Sequence, residues 1–439
     1  MTYKEVLAHL DALQMHKIKL GLEAMQSFLE KVDRPESGLK FVHVAGTNGK
    51  GSVCAAVSEV LCLAGYRVGV YTSPHLSSVR ERFRIGSEYI SEETFAKLGT
   101  KICQVLGQEQ ITYFEFTTAL GLLWFAQSNV DLVLLETGMG GRLDATNVVT
   151  PLISVITSVS MDHEAYLGNS LREIAGEKAG IIKPKVPVVS GAIHPEAAAV
   201  ITAAAKTNAA PVVSLRQEFD YVAGPDKTWI WSGGDTFANC EITGLRCSRS
   251  SLVQQENDSL SIAALHLLRE YGFQVSEQHI RDGIAHVKWP GRMEYFELAY
   301  MPLEVRIGMK NLRYLIDGAH NNDGVTNLTK TIQKNFKYNK LIGIWGAMVD
   351  KDLSATLGLI TPLVDELIIT QPDGERAATP EHIYSILSED QKQKARCVRK
   401  VDEALLAAQE IAVDGDLIVI GGSLYLIGMV RCLLLGELV

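Results

Sequence analysis

Cysteine is sparse in this 439-residue chain and never closely paired. Its 7 cysteines (Cys54, Cys62, Cys103, Cys240, Cys247, Cys397 and Cys432) are odd in number and scattered, without C-x-x-C spacing. That argues against a disulfide framework or a zinc cluster and for reduced thiols. Long apolar runs are also missing. None approaches the roughly 20 residues of a membrane-spanning helix. The N-terminal MTYKEVLAHLDALQ, with Val6, Leu10 and Leu13 on one face, lacks a signal peptide's continuous apolar core. The cytoplasm is the expected location. Positive charge is in deficit, with 42 Lys and Arg against 51 Asp and Glu and a formal net charge of −9. Nucleic acid and anionic membrane are therefore repelled at long range, and any anion must be bound locally. No fixed-period repeat or low-complexity segment is present. The 47% hydrophobic and 21% charged residues make an ordinary globular composition, sufficient for two or three domains.

Short β-branched runs at Phe41–Ala45, Arg67–Tyr71, Asp131–Leu135, Ile153–Thr157 and Val186–Ser190 alternate with amphipathic stretches. This rhythm predicts a doubly wound, mostly parallel sheet. Residues 211–247 lose the helical rhythm and predict a small antiparallel patch with glycine turns. A helix is expected near Glu256–Tyr271, and Pro290-Gly291 in KWPGRMEYF marks an interdomain joint. Beyond it, Tyr314–Ile316, Leu341–Trp345, Glu366–Thr370 and Leu417–Ile420 are the strands of a second series. The expected organisation is an N-terminal α/β P-loop ATPase domain, residues 1–290, and a smaller Rossmann-like α/β domain, residues 291–439.

The strongest local signal is the apolar FVHVA, then Gly46-Thr47-Asn48-Gly49-Lys50-Gly51-Ser52, then a helical pattern. Glycines let backbone N–H groups approach phosphate oxygens, a helix N-terminus adds partial positive charge, and Lys50 adds a full one. The spacing departs from G-x-x-x-x-G-K-[ST], because Gly51 follows the lysine and the hydroxyl arrives at Ser52. Magnesium at a triphosphate requires hard oxygen ligands, and Glu136, ending VDLVLLE, is the acid at a neighbouring strand end. Ser73-Pro74-His75 ends another strand at the same sheet edge. His163 follows a third, flanked by Asp162 and Glu164, which favours a metal-ligand role. For Lys178 in IAGEKAGII, helix geometry alone suggests an exposed Glu–Lys pair.

VAGTNGKGS, TSPHLSSVRERF, LETGMGGRLDATN, TSVSMDHEAYLG, IAGEKAGIIKP, PGRMEYF, DGAHNNDG, WGAMVDKD and GGSLYLIG occur in this order across nearly the whole chain. Together they resemble the folylpolyglutamate synthase and dihydrofolate synthase family of Mur-type ATP-dependent ligases. The resemblance implies that ATP phosphorylates a folate or dihydropteroate carboxylate and that the amino group of L-glutamate attacks the acyl phosphate. It implies two magnesium ions, one at Ser52, Ser73 and Glu136 and one at Glu136, His163 and Lys178, with potassium as a further ion. Lys178 would be carbamylated, turning a cation into an oxygen ligand. Lys50, Glu136, His163, Lys178, Asp317 and His320 become the catalytic set. Gly46 to Ser52, Asn257, Arg292 and Asp317 become nucleotide contacts, and Phe114, Asp144, His320 and Ser423 become substrate contacts. The aromatic cluster Tyr113-Phe114-Glu115-Phe116 is expected to be exposed, as a wall for the pterin. The family's His-Gln-x-x-Asn-Ala is altered here to Val253-Gln254-Gln255-Glu256-Asn257-Asp258.

A Mur-type ligase of cell-wall precursors would share the phosphate loop and the closing domain. TSPHL and EKAGI favour the folate branch, and no extra N-terminal uridine-nucleotide domain is evident. A nucleotide-dependent switch or transport ATPase would leave DGAHN and GGSLYL without a role. A monomer using small-molecule substrates, without nucleic acid or membrane partners, is the expected state.

Overall fold

The strand FVHVA is buried along its whole length, as a strand covered on both faces must be. The computed structural model describes residues 1–13, 21–248, 251–300, 309–374 and 376–436. Gln14 of the N-terminal amphipathic stretch lies outside them. Strands β1 (Phe41–Ala45), β2 (Val68–Tyr71), β3 (Phe83–Ile85), β4 (Glu88–Tyr89), β5 (Leu132–Glu136), β6 (Ile153–Ile156), β7 (Val188–Ser190) and β8 (Val212–Ser214) form an eight-stranded sheet. Its order is β4-β3-β2-β5-β1-β6-β7-β8, antiparallel only at the β2-β3 and β3-β4 edge. Val53, Val57 and Leu61 of helix Lys50–Leu63 pack on one face, and Phe116, Leu120 and Leu123 of helix Tyr113–Gln127 on the other. The sheet is thereby doubly wound.

Strands β9 (Phe219–Ala223), β10 (Trp229–Gly233) and β11 (Glu241–Leu245) form a small antiparallel sheet. Its buried Trp229 and Trp231 share a core with helix Gln254–Leu268. The antiparallel patch expected over residues 211–247 is thus shorter. Val212–Ser214 instead extends the large sheet in parallel beside β7, where its β-branched pair finds a partner strand.

The second sheet contains β12 (Glu294–Tyr300), β13 (Lys310–Ile316), β14 (Leu341–Trp345), β15 (Glu366–Ile369), β16 (Ala395–Cys397) and β17 (Leu417–Gly421). Its order is β12-β13-β17-β14-β15-β16, parallel except for the β12-β13 pair, with helices and apolar clusters on both faces. Among the described residues no helix is long and apolar enough to cross a membrane. The expected exposure of the Tyr113–Phe116 cluster is wrong. Tyr113, Glu115 and Phe116 are buried because helix Tyr113–Gln127 is apolar on nearly all sides and lies inside a core.

Candidate active site

β1 lies between β5 and β6, so the segments that follow these three strands emerge side by side at one edge of the sheet. The Gly46–Ser52 loop leaves β1 there. It is stitched to the segment after β6: Thr47 N donates to Ser158 O (2.7 Å), Asn48 N to Ser158 Oγ (3.0 Å), and Thr157 Oγ1 to Asn48 O (2.7 Å). Gly46, at φ +151°, passes so close to Thr157 that a Cβ would fall 1.8 Å from its hydroxyl oxygen. Lys50 Nζ donates to Gly46 O (3.1 Å) and Thr47 O (3.3 Å), which curls its ammonium over the loop. The N–H groups of the first turn of helix Lys50–Leu63 point out of the helix end, as an anion site requires.

Glu136 ends β5 at 4% exposure, and its Oε2 accepts from Ser73 N at 3.1 Å. Burial raises its pKa against the opposing positive charges of Lys50 and Arg292. His163 sits in left-handed backbone conformation at φ 54°. Although 37% of its side chain is open, the crevice walls strip water from the ring and push its pKa down to about 4, opposed by Asp162. Lys178 closes helix Leu171–Lys178 at 3% exposure, so the exposed-pair alternative does not hold. Burial, reinforced by the charge of Lys50, pushes its pKa down to about 7.

The carboxyl edge of the second sheet faces this one across a crevice of about 350 Å³. Asp317 follows β13, and its carboxylate accepts from Met293 N (2.8 Å) and Ala319 N (2.9 Å), tying the PGRM turn to the DGAH turn. His320 Nδ1–H donates to Gly318 O at 2.8 Å. Ser423 follows β17 and caps helix Leu424–Leu435, accepting from Tyr425 N at 3.1 Å.

Of the residues singled out in the sequence, Thr47 to Ser52, Ser73, Glu136, His163, Asn257, Arg292, Asp317, His320 and Ser423 line the crevice together. Gly46 and Lys178 are not part of the lining; Gly46 immediately precedes Thr47, and Lys178 is near enough to Lys50 and Asp162, which do line the crevice, to feel their charges. Phe114 and Asp144 are set back as well. The ring of Phe114 packs beneath Gly138, and Asp144 is occupied within its own loop by Met139 N (2.9 Å), Thr146 N (3.0 Å) and Thr146 Oγ1 (2.6 Å).

Sequence reading gave Asp162, Asn321 and Lys351 no role of their own. Asp162 accepts from Lys351 Nζ (2.6 Å) and Asn321 Nδ2 (2.9 Å), both from the opposite wall, with His320 Nε2 3.7 Å away. Burial alone raises its pKa, but His320, His163 and Lys351 outweigh that and hold the carboxyl well below its usual range. The only sequence signal was their place in TSVSMDHEAYLG, DGAHNNDG and WGAMVDKD, in the segments that follow β6, β13 and β14.

Known proteins share this arrangement. Residues 44–223 match the Mur ligase middle domain, and residues 291–424 match the Mur ligase glutamate ligase domain. The dihydrofolate synthase/folylpolyglutamate synthase of Bacillus subtilis is 33% identical over 94% of this chain and 95% of its own length. The folylpolyglutamate synthase of Lacticaseibacillus casei is 33% identical over 99% of both. The structure of Escherichia coli FolC in complex with DHPP and ADP superposes with a TM-score of 0.86 at 31% identity, covering 99% of this chain and 97% of that one. A bifunctional folylpolyglutamate synthase/dihydrofolate synthase with Mn, AMPPNP and L-glutamate bound gives 0.85 at 29% identity, covering 99% and 98%. With relatives of this identity matched end to end, the chain belongs to the folylpolyglutamate synthase/dihydrofolate synthase family of Mur-type ligases.

Proposed function

We propose that this chain couples ATP cleavage to formation of an amide between the carboxylate of a folate-type substrate and the amino group of L-glutamate. The substrates are dihydropteroate and reduced folates. A carboxylate oxygen attacks the γ-phosphorus and ADP leaves. The glutamate nitrogen then attacks the acyl carbon, phosphate leaves, and the nitrogen loses a proton. The supporting observation is the crevice itself, with a phosphate loop and a buried carboxylate on one wall and Asp317, His320 and Ser423 on the other. Such a crevice holds two reactants in one orientation and keeps water from the acyl phosphate.

In this reading residues 1–290 bind ATP and residues 291–439 bring glutamate. Lys50 and the loop N–H groups hold the β- and γ-phosphates, and Asn257 and Arg292 meet the nucleotide from the sides. The charge of Arg292 already reaches Glu136 from the opposite wall. The donors suit magnesium: Ser52 and Ser73 offer hydroxyls and Glu136 a buried carboxylate, all hard oxygen ligands. Among the described residues no group of three or more His, Cys, Asp or Glu side chains is placed to hold an ion alone. Oxygens of ATP would supply further ligands, as phosphate oxygens commonly do for magnesium. When bound, the ions neutralise charge that develops on the transferred phosphoryl group. A second ion at Glu136 and His163 requires Lys178 as a carbamate, and its buried side chain, poised to lose its proton near neutrality, suits that modification. The chain acts as a cytoplasmic monomer.

The deciding experiment offers dihydropteroate and tetrahydrofolate separately with ATP, magnesium and L-glutamate, and follows ADP release and product mass. A gain of one glutamyl unit, with ADP release dependent on both co-substrates, is expected. ADP release that ignores both would remove the ligase reading. Lys50→Ala should abolish turnover while leaving the circular dichroism unchanged.

A further inference from the structure

Helix Gln254–Leu268 runs directly over the phosphate loop. At Gly49 there is no room for a side chain, since a Cβ would fall 2.2 Å from Asn257 Oδ1. One turn nearer the helix N-terminus and on the same face stands Gln254. It is 1% exposed, yet it lines the crevice with Ser251, Val253 and Asn257. The helix therefore carries the crevice wall from the phosphate loop toward Gln254. That end is closed by the second wall, where Asn327 Nδ2 donates to Ser251 Oγ (3.0 Å) and Leu252 N donates to Thr331 Oγ1 (3.2 Å).

Gln254 Nε2 donates to Asp258 Oδ1 at 2.6 Å, in a buried pair four residues apart on the helix. A carboxylate offers only acceptors, so the amide nitrogen must be the group that faces Asp258. The amide oxygen is then what Gln254 presents to the crevice. A hydrogen bond in a buried setting is costly to break, which holds that choice.

We propose that Asp258 is a positioning residue that fixes the Gln254 amide, and that the Gln254 oxygen reads the 6-amino group of the purine whose phosphates occupy the Gly46–Ser52 loop. This rests on the ATP-site reading given under Proposed function. A 6-amino purine presents a donor to that oxygen. A 6-oxo purine sets one acceptor against another in a desolvated pocket, which a site built to hydrogen-bond rejects strongly.

Calorimetric binding of ADP and IDP, with magnesium, tests this without requiring turnover. The wild-type chain should bind ADP more tightly than IDP by about tenfold or more. Asp258→Ala should bring the two affinities to within about twofold, because the freed amide can rotate and present its nitrogen to a 6-oxo group. Asp258→Asn, able to accept from or donate to Gln254, should keep part of the preference. Should Asp258→Ala fail to fold, Gln254→Met decides the matter, since it removes the reading group and should also erase the preference. An unchanged ADP/IDP ratio in the folded variants, or equal wild-type affinities, overturns this proposal alone. Wild-type protein that binds neither nucleotide overturns the ATP-site reading and this proposal with it.

Discussion

Asn48 of the Gly46–Ser52 loop and Asn321 of the opposite wall exchange two side-chain hydrogen bonds, Asn48 Nδ2 to Asn321 Oδ1 at 3.3 Å and Asn321 Nδ2 to Asn48 Oδ1 at 3.2 Å. The same Asn321 amide reaches Asp162, and its oxygen caps helix Asn322–Asn335 through Gly324 N. The loop that would hold phosphate is therefore fastened to the domain that would bring glutamate. Asn48→Ala removes the exchange while sparing the cap. We expect a larger radius of gyration by small-angle scattering in the unliganded variant, reversed by an ATP analogue with folate. Identical scattering curves for variant and wild type would show that the pair does not hold the walls together.

Gly428, inside helix Leu424–Leu435, touches the TSPHL loop so closely that a Cβ would lie 2.2 Å from Leu76 O. That loop cannot yield easily, because the Glu81 carboxylate accepts from Leu76 N (2.7 Å), Ser77 N (2.8 Å) and Ser78 N (2.7 Å). Gly428→Ala must push the two walls apart or displace Ser73 from Glu136. Turnover should fall by about tenfold or more, since misplacement near 1 Å is costly in a positioned site. Thermal melting should shift only slightly. Wild-type turnover in the variant would dismiss the contact as incidental.

Lys178 should take up carbon dioxide. The measurement is carbon-13 NMR of protein equilibrated with labelled bicarbonate, in which wild type gives a carbamate resonance that Lys178→Ala lacks. The variant should also lose most activity, and acetate, filling the space left by alanine, should restore part of the rate. Wild-type protein without the resonance, in the presence of magnesium and nucleotide, would sink the assignment.

His43 makes stability depend on acid. It is fully buried in β1, and burial, reinforced by the charge of Lys183, pushes its pKa from 6.5 down to about 3. Above pH 6.5 the folded and unfolded chains both hold it neutral. As pH falls from 6.5 toward 3, the unfolded chain takes a proton that the folded chain refuses, so its contribution to stability is progressively lost. Between pH 7 and 5 this amounts to about 2 kcal/mol. His75, whose pKa burial and Arg82 push to about 3, acts in the same direction. Urea unfolding of His43→Gln at the two pH values should show a smaller loss than wild type. An equal loss would assign the acid sensitivity to other groups.

The local pattern carried much of this. The β-branched runs behind β1, β14 and β17, the strand–turn–helix form of the Gly46–Ser52 segment, and Glu136 at the end of β5 were legible because backbone preference and strand burial are written within a few neighbouring residues. Strands that need a neighbour in order to form were not. β3, β4, β12 and β16 depend on a partner for their existence, as does β8, which was assigned to the wrong sheet. The burial of Tyr113 and Phe116 was legible too, in a helix apolar on nearly all sides, but the expectation of an aromatic wall for the pterin ran against it.

What the sequence by itself determined was the chemical inventory: which residues can bind phosphate, offer hard oxygens or carry charge, and on which strand ends they stand. Tertiary structure alone decided which of them meet. Asn48 and Asn321 are 273 positions apart, and Asp162 and Lys351 are 189 apart. No local preference brings such residues together, because the packing of two separate cores sets the distance between their sheet edges. Folding likewise makes Lys178 a buried amine rather than a surface cation. Desolvation and partner choice are properties of the assembled interior, and both remain undetermined until the chain has folded.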